Sequence, residues 1–285
     1  MENVADAQPL FRDKRRRAWE LDFLRGVAVI AMCFDHLMWD FYYAGQYWFS
    51  NFKQINNEFI NKCNEFALAY LRTYESRGFR FFAHEIFVFL FLFLVGVSCA
   101  FSRDNAKRGA RLAVVALMFT GVSFILKSFG VFDDGIIMGI LHCIALSIIC
   151  AAAIDKLTEF DKNLNTYMPL VLGVIVFEAG IFCSYWDVPL DPEFDASHLV
   201  DYIMGAKMFG DDYFGLFPYV GIVLIGMYWG KAAYPTKSSL VPRLGGKWNT
   251  PFNFVGRHAL IMYLVHQVVI AGLVIILCLC LGYRF

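Results

Sequence analysis

No surplus of charge of either sign marks this 285-residue chain: Lys and Arg total 25, Asp and Glu total 25, and charged residues make up only 18% of it. Without a basic field there is nothing to draw in a polyphosphate backbone, and nucleic-acid binding is excluded. A Gly-rich phosphate loop, an HExxH pair and a nucleophile elbow are also missing, which removes the common signatures of nucleotide hydrolysis, zinc proteolysis and serine esterase chemistry. The cysteines match no zinc spacing, so no metal is expected. Six of them, Cys33, Cys99, Cys143, Cys150, Cys278 and Cys280, sit in apolar runs where cysteine packs as a small hydrophobe. Cys63 and Cys183 are left as the one pair placed for an extracytoplasmic disulfide. There is no internal repeat and no low-complexity tract.

What dominates instead is apolar surface. Hydrophobic residues make up 59% of the chain and the mean hydropathy is +0.53, against about 45–50% apolar for a soluble domain. Seven stretches approach the roughly 20 apolar residues that cross a bilayer: Leu21 to Tyr43, Ala83 to Ser102, Gly109 to Lys127, Gly135 to Ile154, Met168 to Cys183, Phe214 to Lys231 and Phe252 to Gly282. The last is long enough to be one helix broken near Gly272. The expected fold is all-α: a polytopic membrane protein of about seven transmembrane helices with amphipathic outer-face helices. Residues 1–20 form a basic segment before the first span and read as part of a retained signal-anchor, and residues 21–285 form a single transmembrane domain.

Positive residues favour the cytoplasmic side. Arg12, Lys14 to Arg17, Arg103, Lys107, Arg108, Arg111, Lys156, Lys162, Lys231, Lys237, Arg243 and Lys247 fall on one side of the seven-span arrangement, and fewer fall on the other. That bias places the N-terminus in the cytoplasm. Two outer segments are long. In Ala44 to Phe82, the residues Phe52, Ile55, Phe59, Ile60, Cys63, Phe66, Leu68 and Leu71 recur near helical spacing, which predicts an amphipathic helix on the outer leaflet or over a cavity. The second, Ser184 to Tyr213, is acidic and aromatic, and either serves as a roof or merely connects. His198 within it carries little information.

Ionisable residues inside a bilayer are expensive and point to function. The first span, LDFLRGVAVIAMCFDH, carries Asp22, Arg25, Asp35 and His36. Arg25 and His36 are eleven residues apart, so on a helix they return to within about 20° of one direction, roughly 16 Å apart along the axis. Asp22 shares that face approximately. Asp35 points about 100° away from His36, so its partner is expected on another helix. His84 and Glu85 open the second span, where His84 either joins His36 or anchors an interface. The cluster Arg103, Lys107, Arg108 and Arg111 either fixes topology or receives phosphate groups. His142, Arg257, His258 and His266 add polar groups to later spans, and at least one histidine of the last pair is expected to reach the centre. Paired intramembrane histidines also leave heme ligation open.

Taken in order, the blocks RRRAWELDFLRGVAVIAMCFDH, FLFLFLVGVSCAFSRDNAKRGARL, GILHCIALS, DYFGLFPYVGIVLIGMYWGK and VGRHALIMYLVHQ resemble the catalytic domain of heparan-alpha-glucosaminide N-acetyltransferase and its small bacterial relatives. The first block is also similar to the Arg, ten residues, His pattern of the membrane acyltransferases that O-acylate surface sugars. The resemblance implies transfer of an acetyl or other acyl group from cytosolic acyl-CoA to a sugar amine or hydroxyl across a bacterial inner membrane. It implies His36, His84 and Asp35 as the catalytic candidates. Animal members carry asparagine where this chain has His36, and their histidine lies in the following outer segment, which keeps His84 beside His36. Arg25, Asp22, Arg103, Lys107, Arg108, Arg111, Arg257, His258 and His266 become the candidates for holding acetyl-CoA. Trp186, Asp187 and Trp48 become candidate sugar contacts. Membrane lipids are further expected partners, and homo-oligomerisation is left open. The rival classes are a proton-coupled transporter built on the same buried groups, and a scaffold or heme-binding subunit.

Overall fold

The computed structural model describes residues 18–55, 57–129, 134–184, 188–210 and 212–285, with the side chains of residues 183 and 184 left out. The expectations for Arg12, Lys14 to Arg17, Trp186, Asp187 and the Cys183 side chain therefore lie outside the described residues. The described part is helical: α1 (Trp19–Tyr43), α2 (Glu58–Glu75), α3 (Phe79–Phe101), α4 (Asn105–Ser128), α5 (Ile140–Leu157), α6 (Lys162–Ser184), α7 (Leu199–Met204), α8 (Tyr219–Ala233), α9 (Thr250–Arg257) and α10 (Ala259–Cys280).

Among the described residues five helices, α3, α4, α5, α6 and α10, are long and apolar enough to cross a membrane. Their outward faces carry bare Leu117, Met118, Val122, Val268, Val269 and Leu273, a surface that water would penalise and lipid would not. This is an integral membrane protein. The two other expected spans differ for physical reasons. α1 has 25 residues but is interrupted by acidic, basic and imidazole groups, and α8 is apolar but has only 15 residues. The first five residues of the expected sixth span, Phe214 to Pro218, form an irregular loop whose backbone bonds to other segments, Phe214 N–H to the Met138 carbonyl at 2.7 Å and Leu216 N–H to the Ile203 carbonyl at 2.7 Å. The last span breaks at His258 rather than at Gly272, separating α9 from α10.

The chain runs back and forth between two ends. At the basic end, Ser239 Oγ donates to Glu20 at 2.7 Å, Phe101 meets Tyr234 with ring centroids 5.7 Å apart, and Lys231 Nζ bonds Asp155 at 2.7 Å and Asn165 Oδ1 at 2.7 Å, tying α5, α6 and α8. At the opposite end, Ser50 N–H donates to the Arg284 carbonyl at 2.9 Å. The central core lies between α3, α5 and α8 around Leu92, Ile144, Ile148, Val223 and Met227.

Lipid supplies no hydrophobic force between helices, so close backbone approach through small residues has to do that work. Gly96 of α3 lies on the Val223 carbonyl, and Gly226 of α8 lies on the Phe93 carbonyl; a Cβ at either would collide with backbone. Gly26 and Gly256 join α1 to α9 in the same way, against the Phe252 and Asp22 carbonyls.

The opposite end is capped as expected by an amphipathic helix. α2 starts at Asn57, whose side chain accepts the Ile60 N–H at 3.1 Å. Its inner stripe is Ile60, Ala67 and Leu71, whereas Phe59 and Phe66 face outward, suited to an acyl-chain surface. Cys63 on this helix is a free thiol. The second outer segment is held by a polar knot: Asp191 Oδ2 accepts from Tyr202 Oη at 2.8 Å and lies 2.9 Å from His198 Nδ1, with Lys207 Nζ 3.5 Å from Asp191 Oδ1. His198, which the sequence left without a role, thus helps hold this segment together. The Tyr202 hydrogen bond, helped by His198 and Lys207, holds the Asp191 carboxyl below its usual range.

Two expectations follow. Gly96→Val should reduce the thermal midpoint of the detergent-solubilised protein by the equivalent of roughly 1–3 kcal/mol or more, while Gly272→Ala, where nothing lies within 4 Å, should be neutral or add up to roughly 1 kcal/mol. Because the Asp191 carboxyl is depressed, its contribution is complete above the ordinary carboxylate range of about 4 and is lost as pH falls through the folded-state value. Hydrogen-exchange protection across residues 191–208 should therefore drop at low pH in the wild type and be insensitive to that titration in Asp191→Asn.

Candidate functional site

His36 sits on α1 with Nδ1 3.0 Å from the Met32 carbonyl oxygen. A carbonyl only accepts, so Nδ1 carries a proton, and in the corresponding neutral tautomer Nε2 is the acceptor. Across from it on α10, His266 is held identically, with Nδ1 2.7 Å from the Tyr263 carbonyl. The two rings meet edge to face with centroids 4.7 Å apart, and the buried His266 Nε2 has no hydrogen-bond partner. The expectation that one histidine of the last span reaches the centre is met by His266. That moves it from the donor-holding set into the company of His36.

A third titratable group, outside the candidates read from the sequence, lies within electrostatic reach of His36. Asp212, in the irregular loop before α8, interacts electrostatically with His36 and with Tyr263. Its Oδ2 lies so close to Gly139 that a Cβ there would stand 2.8 Å from it. Gly139 is the N-cap of α5, so the carboxylate sits at the positive end of that helix, where an anion is favoured. The available signal was the acidic doublet opening DDYFGLFP, but a loop that folds back toward a histidine layer leaves no periodicity to read.

Asp35 belongs elsewhere. Arg80 grips both its oxygens, Nε to Oδ1 at 2.7 Å and Nη2 to Oδ2 at 2.9 Å, and Tyr70 Oη donates to Oδ1 at 3.0 Å. Trp39 and Tyr74 place their rings 5.3 and 4.9 Å from the guanidinium carbon. The partner is on another helix, as expected, and the result is a staple between α1, α2 and α3. Asp35, expected among the catalytic candidates, is held by Arg80 and Tyr70 and does not share a hydrogen bond with His36 among the described contacts. Arg80, only 7% exposed, was read as part of the outer segment and was overlooked. His84 lies 3.4 Å from Glu85 and edge-on to Tyr74 at 5.8 Å, and shares no contact with the His36 and His266 pair.

The cationic candidates divide into two groups at the basic end. Arg25 bonds Asp22 at 3.2 Å and Ser98 Oγ at 2.9 Å. Arg108 donates to the Ser98 carbonyl at 3.2 Å, and Arg257 Nε stands 3.8 Å from the other Asp22 oxygen. Asp22, Arg25, Arg108 and Arg257 are thereby assembled around one α1–α3–α9 junction. Arg103, Lys107 and Arg111 are exposed at the start of α4, with Lys107 3.8 Å from Asp104. His258 is also exposed, bonded to the Phe254 carbonyl at 2.8 Å and packed on the Phe254 ring, away from the histidine pair.

Beside this junction is a cavity of about 370 Å³ lined by Trp19, Ser239, Pro242, Gly245, Gly246 and Asn249. Trp248 packs edge-on to Trp19 at 6.0 Å. Asn249 is 3% exposed, and its Nδ2 has no partner. Trp48, at the other end, stacks on Tyr43 at 6.3 Å. Among the described residues no group of three or more His, Cys, Asp or Glu side chains is arranged to hold a metal ion.

The molecule therefore has two polar centres joined by α1: a base layer at His36, His266 and Asp212, and a cation-lined junction with an aromatic cavity at the basic end. No curated protein and no solved structure matches the chain. The profile of the family described as "Heparan-alpha-glucosaminide N-acetyltransferase, catalytic" does match, over residues 17–60 and 55–268. That match runs from the start of α1 past His266 and takes in both centres. By this coverage the chain belongs to the heparan-alpha-glucosaminide N-acetyltransferase catalytic-domain family.

Proposed function

We propose that this protein is a transmembrane acetyltransferase that takes an acetyl group from acetyl-CoA on the cytoplasmic side and delivers it to a sugar amine or hydroxyl on the outer side. The observation that carries the reading is the pair of imidazoles, each with Nδ1–H committed to a backbone carbonyl and Nε2 left as the base. Family membership supports the reaction class.

In this reading the basic end is cytoplasmic. The adenine end of the donor enters the cavity at Trp19 and Asn249, where an aromatic wall and an unpartnered amide donor suit a purine. Its phosphates lie toward Arg25, Arg108 and Arg257, which match phosphate oxygens through forked N–H groups. The exposed Arg103, Lys107 and Arg111 attract the polyanion to this face. The pantetheine arm then follows α1, since Arg25 and His36 are separated by roughly 16 Å of helix rise, and the thioester reaches the histidine layer.

There the acceptor oxygen or nitrogen attacks the thioester carbonyl carbon while His36 Nε2 removes its proton. The carbon–sulfur bond breaks, and the imidazolium returns that proton to the leaving sulfur. Burial pushes the Asp212 carboxyl above its usual range while a charged His36 opposes that shift, so an imidazolium and the ionised carboxyl favour one another, and His266, packed edge-on, steadies the ring. A near-neutral imidazole is suited to both half-steps.

His36→Ala and His266→Ala are each expected to remain folded in the membrane, bind acetyl-CoA and transfer label from it about 10²- to 10⁴-fold more slowly. Wild-type transfer in both variants would overturn the assignment, and CoA-independent solute flux in vesicles would favour the transporter. Trp19→Ala and Asn249→Ala should raise KM for acetyl-CoA with little change in kcat, the pattern of lost donor binding; unchanged KM in both would move the donor site elsewhere.

A further inference from the structure

One buried titratable group takes no part in the reaction as described. Asp40 lies on α1 four residues after His36, about 40° around the helix and roughly 6 Å further along it. It is 2% exposed. Its Oδ1 accepts from Gln267 Nε2 at 2.9 Å. Its Oδ2 and Gln267 Oε1 are both buried and without a partner. Gln267 follows His266 directly in α10, so one layer of α1 and α10 holds the imidazole pair and the next holds the carboxyl and the amide.

Among the described residues no cation pairs with a carboxylate at this position, whose side-chain partner is Gln267. On α1 the neighbouring titratable groups are His36, one turn back, and Asp35, which Arg80 already occupies. On α10 they are His266 and the thiol of Cys278. From α2, Asn64 donates to the Phe41 carbonyl at 2.8 Å rather than to Asp40, and the adjoining buried cluster of Met38, Phe41, Ala44, Ile60 and Ala67 adds the Cys278 thiol and the Tyr283 hydroxyl but no cation. A lone anion in such a place carries a heavy desolvation penalty. A protonated acid removes the charge and supplies a hydrogen where the carboxyl and the amide bonded to it each keep a buried acceptor oxygen without a partner.

We propose that Asp40 is a neutral carboxylic acid in the resting protein, with its proton on Oδ2 toward Gln267 Oε1, and that it is the group through which the histidine pair exchanges protons with the outer side. The second half rests on the acetyltransferase reading; the first does not. The exchange balances when the acceptor is an amine. An ammonium acceptor and acetyl-CoA give amide, CoA thiol and one proton. The thiol retains one of the two protons leaving nitrogen, and the surplus sits on an imidazolium. The imidazolium N–H breaks as a new O–H forms on the Asp40 carboxyl, while the proton already on Oδ2 leaves to water at the outer end of α1. The carboxyl ends the cycle as it began. A hydroxyl acceptor yields no surplus proton and makes no use of the group.

Infrared spectroscopy of the purified protein, wild type against Asp40→Asn, tests the protonation state directly. A carboxylic-acid carbonyl stretch that shifts in D2O and is missing from Asp40→Asn is the expected result, and it should persist in His36→Ala. Its absence from the wild type overturns the proposal whatever the enzyme does. For the relay, Asp40→Asn, the isostere of the neutral acid, should fold with the wild-type thermal midpoint. It should turn over amine acceptors about tenfold more slowly, at the lower edge of general acid–base effects, with KM for acetyl-CoA unchanged and hydroxyl acceptors unaffected. Wild-type turnover with amines, or an equal loss with hydroxyls, would overturn the relay.

Discussion

The structure depends on how one helix satisfies polar groups where no water is available to do it. α1 carries Asp22, Arg25, Asp35, His36 and Asp40, and each is matched by a different part of the chain. Asp22 and Arg25 take Ser98 and Arg257, Asp35 takes Arg80 and Tyr70, His36 takes the Met32 carbonyl and the His266 ring, and Asp40 takes Gln267. Because unsatisfied groups at membrane depth are costly, these pairings fix the rotation and depth of α1 against α3, α9 and α10. The Gly26 and Gly256 contact then lets α9 approach closely enough for the junction to form.

That arrangement separates two kinds of chemistry along a single axis. Cations and aromatic rings gather where the donor's charged end would stay in contact with the cytosol, and neutral bases gather where a thioester would meet its acceptor. In the proposed reading, the donor's slender middle is the part that passes between helices. The staple of Asp35 and Arg80 lies on a different face of α1 and braces the capping helix α2. It is a buried bidentate ion pair, whose value lies in fixing geometry more than in net stability.

Much of this was legible beforehand. Apolar length located the five clear spans, and helical arithmetic put Arg25 and His36 on one stripe while sending Asp35 to another helix. Arg80, Asp212 and the Trp19 and Asn249 cavity were not legible. Arg80 stands at a helix start that reads as loop, Asp212 in a folded-back loop without periodicity, and the cavity joins residues more than 200 positions apart. His266 was visible as a residue, but a sequence cannot say which of two histidines on one helix turns inward. The break at His258, rather than at Gly272, decided it by ending α9 there and leaving His258 exposed.

The central claim is that His36 and His266 act as one unit, in which His266 positions the ring that handles the proton. A double-mutant cycle on acetyl transfer measures this most directly, with kcat determined for His36→Ala, His266→Ala and the pair together. Residues that work as a unit are strongly non-additive, so the double variant is predicted to be no slower than the slower single one. Losses that multiply would mean two independent residues, and would contradict the account.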